Sequence, residues 1–134
     1  MTNPTPPPKS GTLTDGLLTL NAAAIEGLLA VETQGVPDFL KKQVTKFLAK
    51  VPENLRVFYD EMNRGDLASA RESIHKLAGY AGMVGAHSLR LHGLQIETAI
   101  DQGDTLTAGN LAQTLPDQWN ATTRDFETLL KRLP

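Results

Sequence analysis

"ESIHKLAGYAGMVGAHSL", Glu72 to Leu89, carries the apolar spacing of a helix, yet Gly79, Gly82 and Gly85 fall inside it or near its end. Each glycine in a helix interior costs about 1 kcal/mol relative to alanine. The apolar pattern shows which side of the helix bears that burden. With His75 at 0° and a step of about 100° per residue, Leu67, Ala70, Ile74, Leu77, Ala81 and Val84 form one continuous stripe that should face a core. His75 lies off the centre of that stripe and is expected in solvent. Ala68 and Gly82 fall within about 20° of it, Arg71 and Gly79 within about 40°, and Ala78 within about 60°. Apart from Arg71 and Glu72, these neighbours are small. A solvated helix face normally carries Lys, Glu and Gln, which also favour helix. The surface around one imidazole has been cleared of bulk, so another protein can approach it closely.

Gly85-Ala86-His87-Ser88 reads as a tight turn into a second helix that runs to about Gln102, where Gly103 stops it. In an antiparallel hairpin centred on Ala86, His75 and Glu97 lie at the same level. Leu89, Ile96 and Ile100 mark the core side of the second helix, and Glu97 sits at its boundary. A carboxylate there can accept a hydrogen bond from Nδ1–H of His75, which fixes the tautomer and leaves the Nε2 lone pair pointing outward. The same arithmetic levels Arg71 with Asp101, a surface ion pair of little energetic weight, and Gly79 with Gly93.

Working outward, the remaining elements are helical as well. Residues 1 to about 12, "MTNPTPPPKSGT", are too polar and proline-rich to bury and are expected to form a disordered tail ahead of one domain, 13–134. After the tail the apolar spacing is helical throughout. Asn21 caps a short N-terminal helix with Ile25, Leu28 and Leu29 on one face. "PDFLKKQVTKFLAK" is amphipathic through Phe39, Leu40, Val44, Phe47 and Leu48. Pro52 opens a further helix that stops at Gly65, and Asp66 caps the helix of His75. The last segment starts at Asp104 and is expected to break or kink at Pro116; Trp119, Phe126, Leu129 and Leu130 give its second half an apolar face. No segment alternates with period two. The expected fold is all-α, an antiparallel four-helix bundle with the extra short helix and the tail.

Composition narrows the function classes. The 134 residues carry a net charge of −2 and no dense basic run, which argues against nucleic acid. Cysteine is absent, so disulfides and thiolate metal sites are excluded. No apolar run reaches the ~20 residues of a membrane span, and the N-terminus lacks the core of a signal peptide; the default is a cytoplasmic monomer with no membrane partner. His87 reads as a solvated or capping residue in the turn, and His92 as a buried, hydrogen-bonded one. No pair of histidines has helical metal spacing, and no Walker loop, nucleophile elbow or dinucleotide fingerprint occurs. Lys41, Lys42, Lys46 and Arg56 are solvated faces. The plainer account of the glycines is close packing of helix axes; it suits Gly93 best, while Gly85 serves the turn.

From Asp66 to Asp104 the sequence resembles the histidine-containing phosphotransfer domains of multistep phosphorelays. The carriers of the resemblance are His75-Lys76-Leu77-Ala78-Gly79, then Gly85-Ala86-His87-Ser88-Leu89, then Ile96-Glu97, then Gly103-Asp104, in ungapped order. The upstream "FLAKVPENLRVFYDEMNRGDLASARESIHKL" fits too, and the likeness extends over roughly residues 20 to 130. It implies that His75 accepts a phosphoryl group from an aspartyl-phosphate receiver domain and passes it to another receiver, with Glu97 orienting the imidazole. Receiver domains, and a hybrid sensor kinase as a further partner, would dock over Ala68, Arg71, Glu72, Lys76, Ala78, Gly79, Gly82 and Arg90, with Met83 and Leu94 as exposed apolar contacts. The protein would be a carrier with no cofactor of its own, the receiver supplying Mg²⁺. One departure is plain: the lysine common three residues after the histidine is Ala78 here. The alternative is therefore a helical adaptor that binds or sequesters a receiver without accepting phosphate. A hydrolase using His75 as general base would need a pocket and an oxyanion donor, which a convex helix face does not offer.

Overall fold

The computed structural model describes residues 13–134; the expected tail, 1–12, lies outside them. Five helices are present among the described residues: α1 (Ala22–Thr33), α2 (Phe39–Asn63), α3 (Leu67–Met83), α4 (His87–Asp101) and α5 (Thr105–Arg132). Consecutive helices from α2 to α5 pack against one another and α5 returns to α2, closing an antiparallel four-helix bundle; α1 packs on α2. The core is aliphatic, built on Leu40, Val44, Val51, Ile74, Leu77, Leu89, Ile96, Leu115 and Leu129. Phe47 joins α2 to α5 by edge-to-face contacts with Trp119 and Phe126, both at 5.7 Å between centroids.

Three turns within the bundle share one construction. Gly65, Gly85 and Gly103 each take a positive φ of 71° to 78° just beyond a helix end. The next residue's N–H returns to a carbonyl five residues back: Asp66 to Glu61 at 2.9 Å, Ala86 to Ala81 at 2.8 Å, Asp104 to Ala99 at 2.9 Å. Only glycine adopts this left-handed turn without a steric cost. That same residue is the N-cap of the following helix, so each loop is as short as a helical hairpin allows. Asp66 and Asp104 cap with their carboxylates, accepting from Ser69 N–H at 3.2 Å and Thr107 N–H at 3.1 Å. The hydroxyls of Ser69 and Thr107 first, and these backbone N–H groups second, hold both carboxyls below the usual aspartate value.

Ala86 has no such side chain. There the chain N-terminal to α1 takes over. Ser88 N–H donates to Thr19 O at 3.1 Å, and Asn21 N–H donates to Gly85 O at 2.8 Å. The segment 14–20 is not helical as its Leu spacing suggests; after a helical Leu13 it runs as successive turns through Gly16, at φ 77°. The chain here buries Leu13, Leu17 and Leu20 and is tied to α5. Thr19 donates to Asp125 Oδ2 through its N–H (3.1 Å) and hydroxyl (2.6 Å), and Arg132 donates to the carbonyls of Leu13 and Asp15, both at 2.8 Å. Asn21 caps α1 as expected, accepting from Ala24 N–H at 2.8 Å.

Both interior prolines correct the expected boundaries. Pro52 does not open a helix; it lies inside α2, which is continuous over 25 residues. Pro116 does not break the last segment; α5 runs unbroken over 28 residues. Proline removes one N–H and leaves the carbonyl four residues back without its helical donor. At Pro116 that carbonyl is Ala112 O, and Tyr59 of α2 donates its hydroxyl to it at 2.9 Å. The adjacent Leu111 O accepts from His92 Nε2 at 2.6 Å. Tyr59 of the neighbouring helix thus satisfies the carbonyl that the proline leaves without a donor, and His92 ties α4 to the same turn. Burial at this contact pushes the Tyr59 phenol up to about 12.

Candidate functional site

α3 turns its stripe of Ala70, Ile74, Leu77 and Ala81 into the core, which leaves His75 outward with 59% of its side chain exposed. Its Nδ1 lies 3.0 and 3.1 Å from the two carboxylate oxygens of Glu97, whose side chain is only 13% exposed. A carboxylate only accepts, so Nδ1 carries the proton and Nε2 keeps its lone pair. Among the described residues Nε2 has no hydrogen-bond partner. Arg71 sits one turn before His75. Its Nη2 is 3.0 Å from Glu97 Oε1, its Nε 2.6 Å from Asp101 Oδ1 and its Nη1 3.0 Å from Glu72 Oε1. Asp101 first, with Glu97 and Glu72, holds the guanidinium above its ordinary value. The sequence placed Arg71 level with Asp101; the link from Arg71 to Glu97 runs diagonally, so level counting did not reveal it.

The glycines separate into three kinds. A Cβ built on Gly79 meets nothing within 4 Å, so that position is open surface beside the imidazole. A Cβ on Gly93 would lie 3.3 Å from Ala78 Cβ, which makes it the packing glycine of the α3–α4 interface. On Gly82 a Cβ would lie 3.0 Å from Arg90 Cδ: the arginine of α4 crosses onto the face of α3 where Gly82 leaves room. The Arg90 head group makes no ion pair among the described residues, and neither does Lys76. On the α2 side, Lys50 Nζ stands 3.9 Å over the Tyr80 ring. Lys50, with a lesser contribution from Lys76, holds the Tyr80 phenol below its ordinary value.

The Hpt domain family matches residues 43–133, more than half of the sequence and all of the bundle from the second turn of α2. The chain belongs to the Hpt domain family. Membership supports a phosphotransfer role in a phosphorelay. The fold agrees with two solved structures. A histidine-containing phosphotransfer protein from maize is 16% identical, with 91% of this chain and 92% of that one covered and a TM-score of 0.79. A rice structure described in the same terms is 14% identical, with 91% and 90% covered and a TM-score of 0.77. No curated protein matches the chain by sequence.

Within this Hpt bundle most of the expected surface residues do lie outward, and four expectations are corrected. Ala68, Glu72, Lys76 and Gly79 are exposed on α3, and Met83 is 70% exposed. Ala78 is not: it is 2% exposed, because Gly93 lets α4 close over it. Leu94 is half-buried and lines the groove between α4 and α5 with Leu91, Thr98 and Leu111. His87 is the first residue of α4, exposed, and the turn ends at Ala86. Met83 instead shares a groove between α2 and α3 with Phe47, Lys46, Lys50, Tyr80 and Val84. His92 is hydrogen-bonded, as the sequence indicated, but half-buried where full burial was expected. No helix among the described residues is long and apolar enough to cross a membrane.

Proposed function

We propose that the protein is a histidine phosphocarrier that takes a phosphoryl group from the aspartyl phosphate of one receiver domain and delivers it to the aspartate of another. The observation that carries this reading is the exposed His75 ring, with Nδ1 held by Glu97 and Nε2 bare. In the forward step the Nε2 lone pair attacks phosphorus in line. The P–N bond forms as the P–O bond to the aspartyl carboxylate breaks, and the bond pair leaves with the carboxylate. The Nδ1 proton stays in place against Glu97. Onward transfer reverses this sequence at a second receiver. Such a transfer depends on positioning and charge stabilisation more than on covalent help from the protein. The Mg²⁺ is the receiver's, and this chain's part is to present one nitrogen on a convex face.

Gly79 gives the receiver's cleft room to close over the ring. Arg90 and Lys76 are the cations free to meet phosphoryl charge in the absence of a lysine at Ala78. The contact is modest in area and readily reversed, since one face serves two receivers in turn. A hybrid sensor kinase carrying a receiver fits the donor role, and the carrier works as a monomer without turnover of its own.

A second reading, a receiver-binding adaptor without phosphotransfer, is favoured by the buried alanine where the family has lysine. Incubation with a phosphorylated receiver separates the two. An acid-labile, base-stable label is expected on the parent and absent from His75→Gln. Equal label on both ends the phosphocarrier reading. Receiver binding with no label on either establishes the adaptor.

A further inference from the structure

Two pairs of residues spaced i, i+4 face each other across the α3–α4 interface: Arg71 and His75 on one helix, Glu97 and Asp101 on the other. Two rungs join them, Arg71 to Asp101 at 2.6 and 3.3 Å and His75 to Glu97 at 3.0 Å. The diagonal, Arg71 Nη2 to Glu97 Oε1 at 3.0 Å, turns two rungs into one braced frame. Glu97 Oε1 is therefore shared between the guanidinium and the imidazole.

The brace addresses a problem of chemistry. In water a neutral imidazole of histidine prefers its proton on Nε2, the atom that must be bare to attack. Glu97 has to reverse that preference, and it can do so only if its carboxylate stays where Nδ1 points. A glutamate on a neighbouring helix has three rotatable side-chain bonds and loses appreciable entropy when held. A planar guanidinium hydrogen-bonded to Asp101 at two atoms, with Glu97 ion-paired to it at 3.0 Å, holds the carboxylate in position by charge; a lysine ammonium, with no fork to grip Asp101, does this less well.

The plain alternative is a decorative surface ion pair, which is usually worth little. Against it stands the withdrawal of Glu97 from water and its sharing of one oxygen between Arg71 and the ring. A direct role at the phosphoryl group is also disfavoured, because each of the three guanidinium nitrogens already holds a carboxylate oxygen. We propose that Arg71 is a positioning residue: braced by Asp101, it fixes the Glu97 carboxylate so that His75 is held in the Nδ1–H tautomer with Nε2 bare. This rests on the phosphocarrier reading only for the use made of Nε2.

The test needs no receiver, so its failure and that of the phosphocarrier reading are distinguishable. Nitrogen-15 spectra of the imidazoles, correlated to the ring carbon-bound protons, report the tautomer directly. They are recorded on the full chain at a pH of about 8.5, where an imidazole is neutral. His75→Gln assigns the signals. The parent is expected to show His75 mainly as Nδ1–H. Glu97→Ala and Arg71→Gln should make Nε2–H the major form, Asp101→Asn should shift the balance the same way by less, and Arg71→Lys should restore part of it. Circular dichroism checks that each variant keeps its helices. If Arg71→Gln and Asp101→Asn both retain the parent's tautomer while Glu97→Ala loses it, the proposal is overturned. It is equally overturned if Glu97→Ala changes nothing, because the ring is then not governed by that carboxylate.

Discussion

His75 and His92 stand on adjacent helices and are used in opposite ways. His75 gives Nδ1 to a carboxylate and leaves Nε2 in solvent; His92 commits Nε2 to the carbonyl of Leu111, with Thr114 Oγ1 at 3.2 Å, and is half-buried. A carbonyl only accepts, so His92 carries its proton on Nε2, the reverse of His75. One ring is poised to react and the other ties two helices together. The imidazole's role is set by which nitrogen its neighbours occupy.

Exchanging either ring gives the largest contrast. His75→Gln should abolish phosphoryl labelling from a receiver while leaving the urea midpoint unchanged. His92→Leu should keep the label and lose about 0.5–1.5 kcal/mol of stability, because Leu111 O loses the imidazole and keeps only the Thr114 hydroxyl as a side-chain donor. If His92→Leu also removes the label, the division of roles is wrong. The glycines near the two rings sharpen the same contrast. Gly79→Leu enters open space and should slow transfer on the order of tenfold or more by blocking close approach, with the melting temperature unchanged or raised. Gly93→Leu should instead destabilise the bundle by about 1–3 kcal/mol through overpacking against Ala78; equal melting temperatures for the two variants would refute the assignment.

Beside His92, Tyr59→Phe should cost about 1–3 kcal/mol in urea unfolding, since Ala112 O loses the hydroxyl that stands in for the proline's missing donor. The Tyr59 phenol titrates near 12 when folded and near 10 when unfolded, so the unfolded chain loses that proton first. The stability this group confers is complete below about pH 10 and is lost as pH climbs towards 12. Tyr59→Phe should flatten that part of an alkaline stability profile. The smallest change is Gly79→Ala, a gain of up to about 1 kcal/mol with transfer little affected; a loss of stability would mean that the site is not open.

Much of this was legible because it depends on period and level. The stripe on α3, the caps at Asn21 and Asp66, the start of the last helix at Asp104, and the pairing of His75 with Glu97 all follow from counting residues along ideal helices. Counting failed where a second chain segment intervenes. Pro52 and Pro116 signal breaks when a helix is read alone; at Pro116, a donor from α2 makes continuity affordable. Ala78 lies within about 60° of His75 on a helical wheel, but a wheel has one core direction and α3 has two neighbours, one brought close by Gly93. Leu17 and Leu20 continue a helical spacing and are nonetheless buried by turns, because the segment that carries them is tied to the far end of the sequence, in α5. Arg71 to Glu97 is a diagonal, visible only once two helices are set side by side.

The segment before α1 ties Asp125 and Arg132 to the α3–α4 turn, and it lies outside the residues matched to the family. It makes the two ends of the bundle unequal. At the end it crosses, amides of α4's first turn and α5's last turns should exchange with solvent deuterium only when a large part of the molecule opens. At the opposite end, where the two turns rest on aspartate caps alone, exchange should proceed by fraying of a few residues. The bundle is hinged like a clothes-peg, firm at one end and free to breathe at the other.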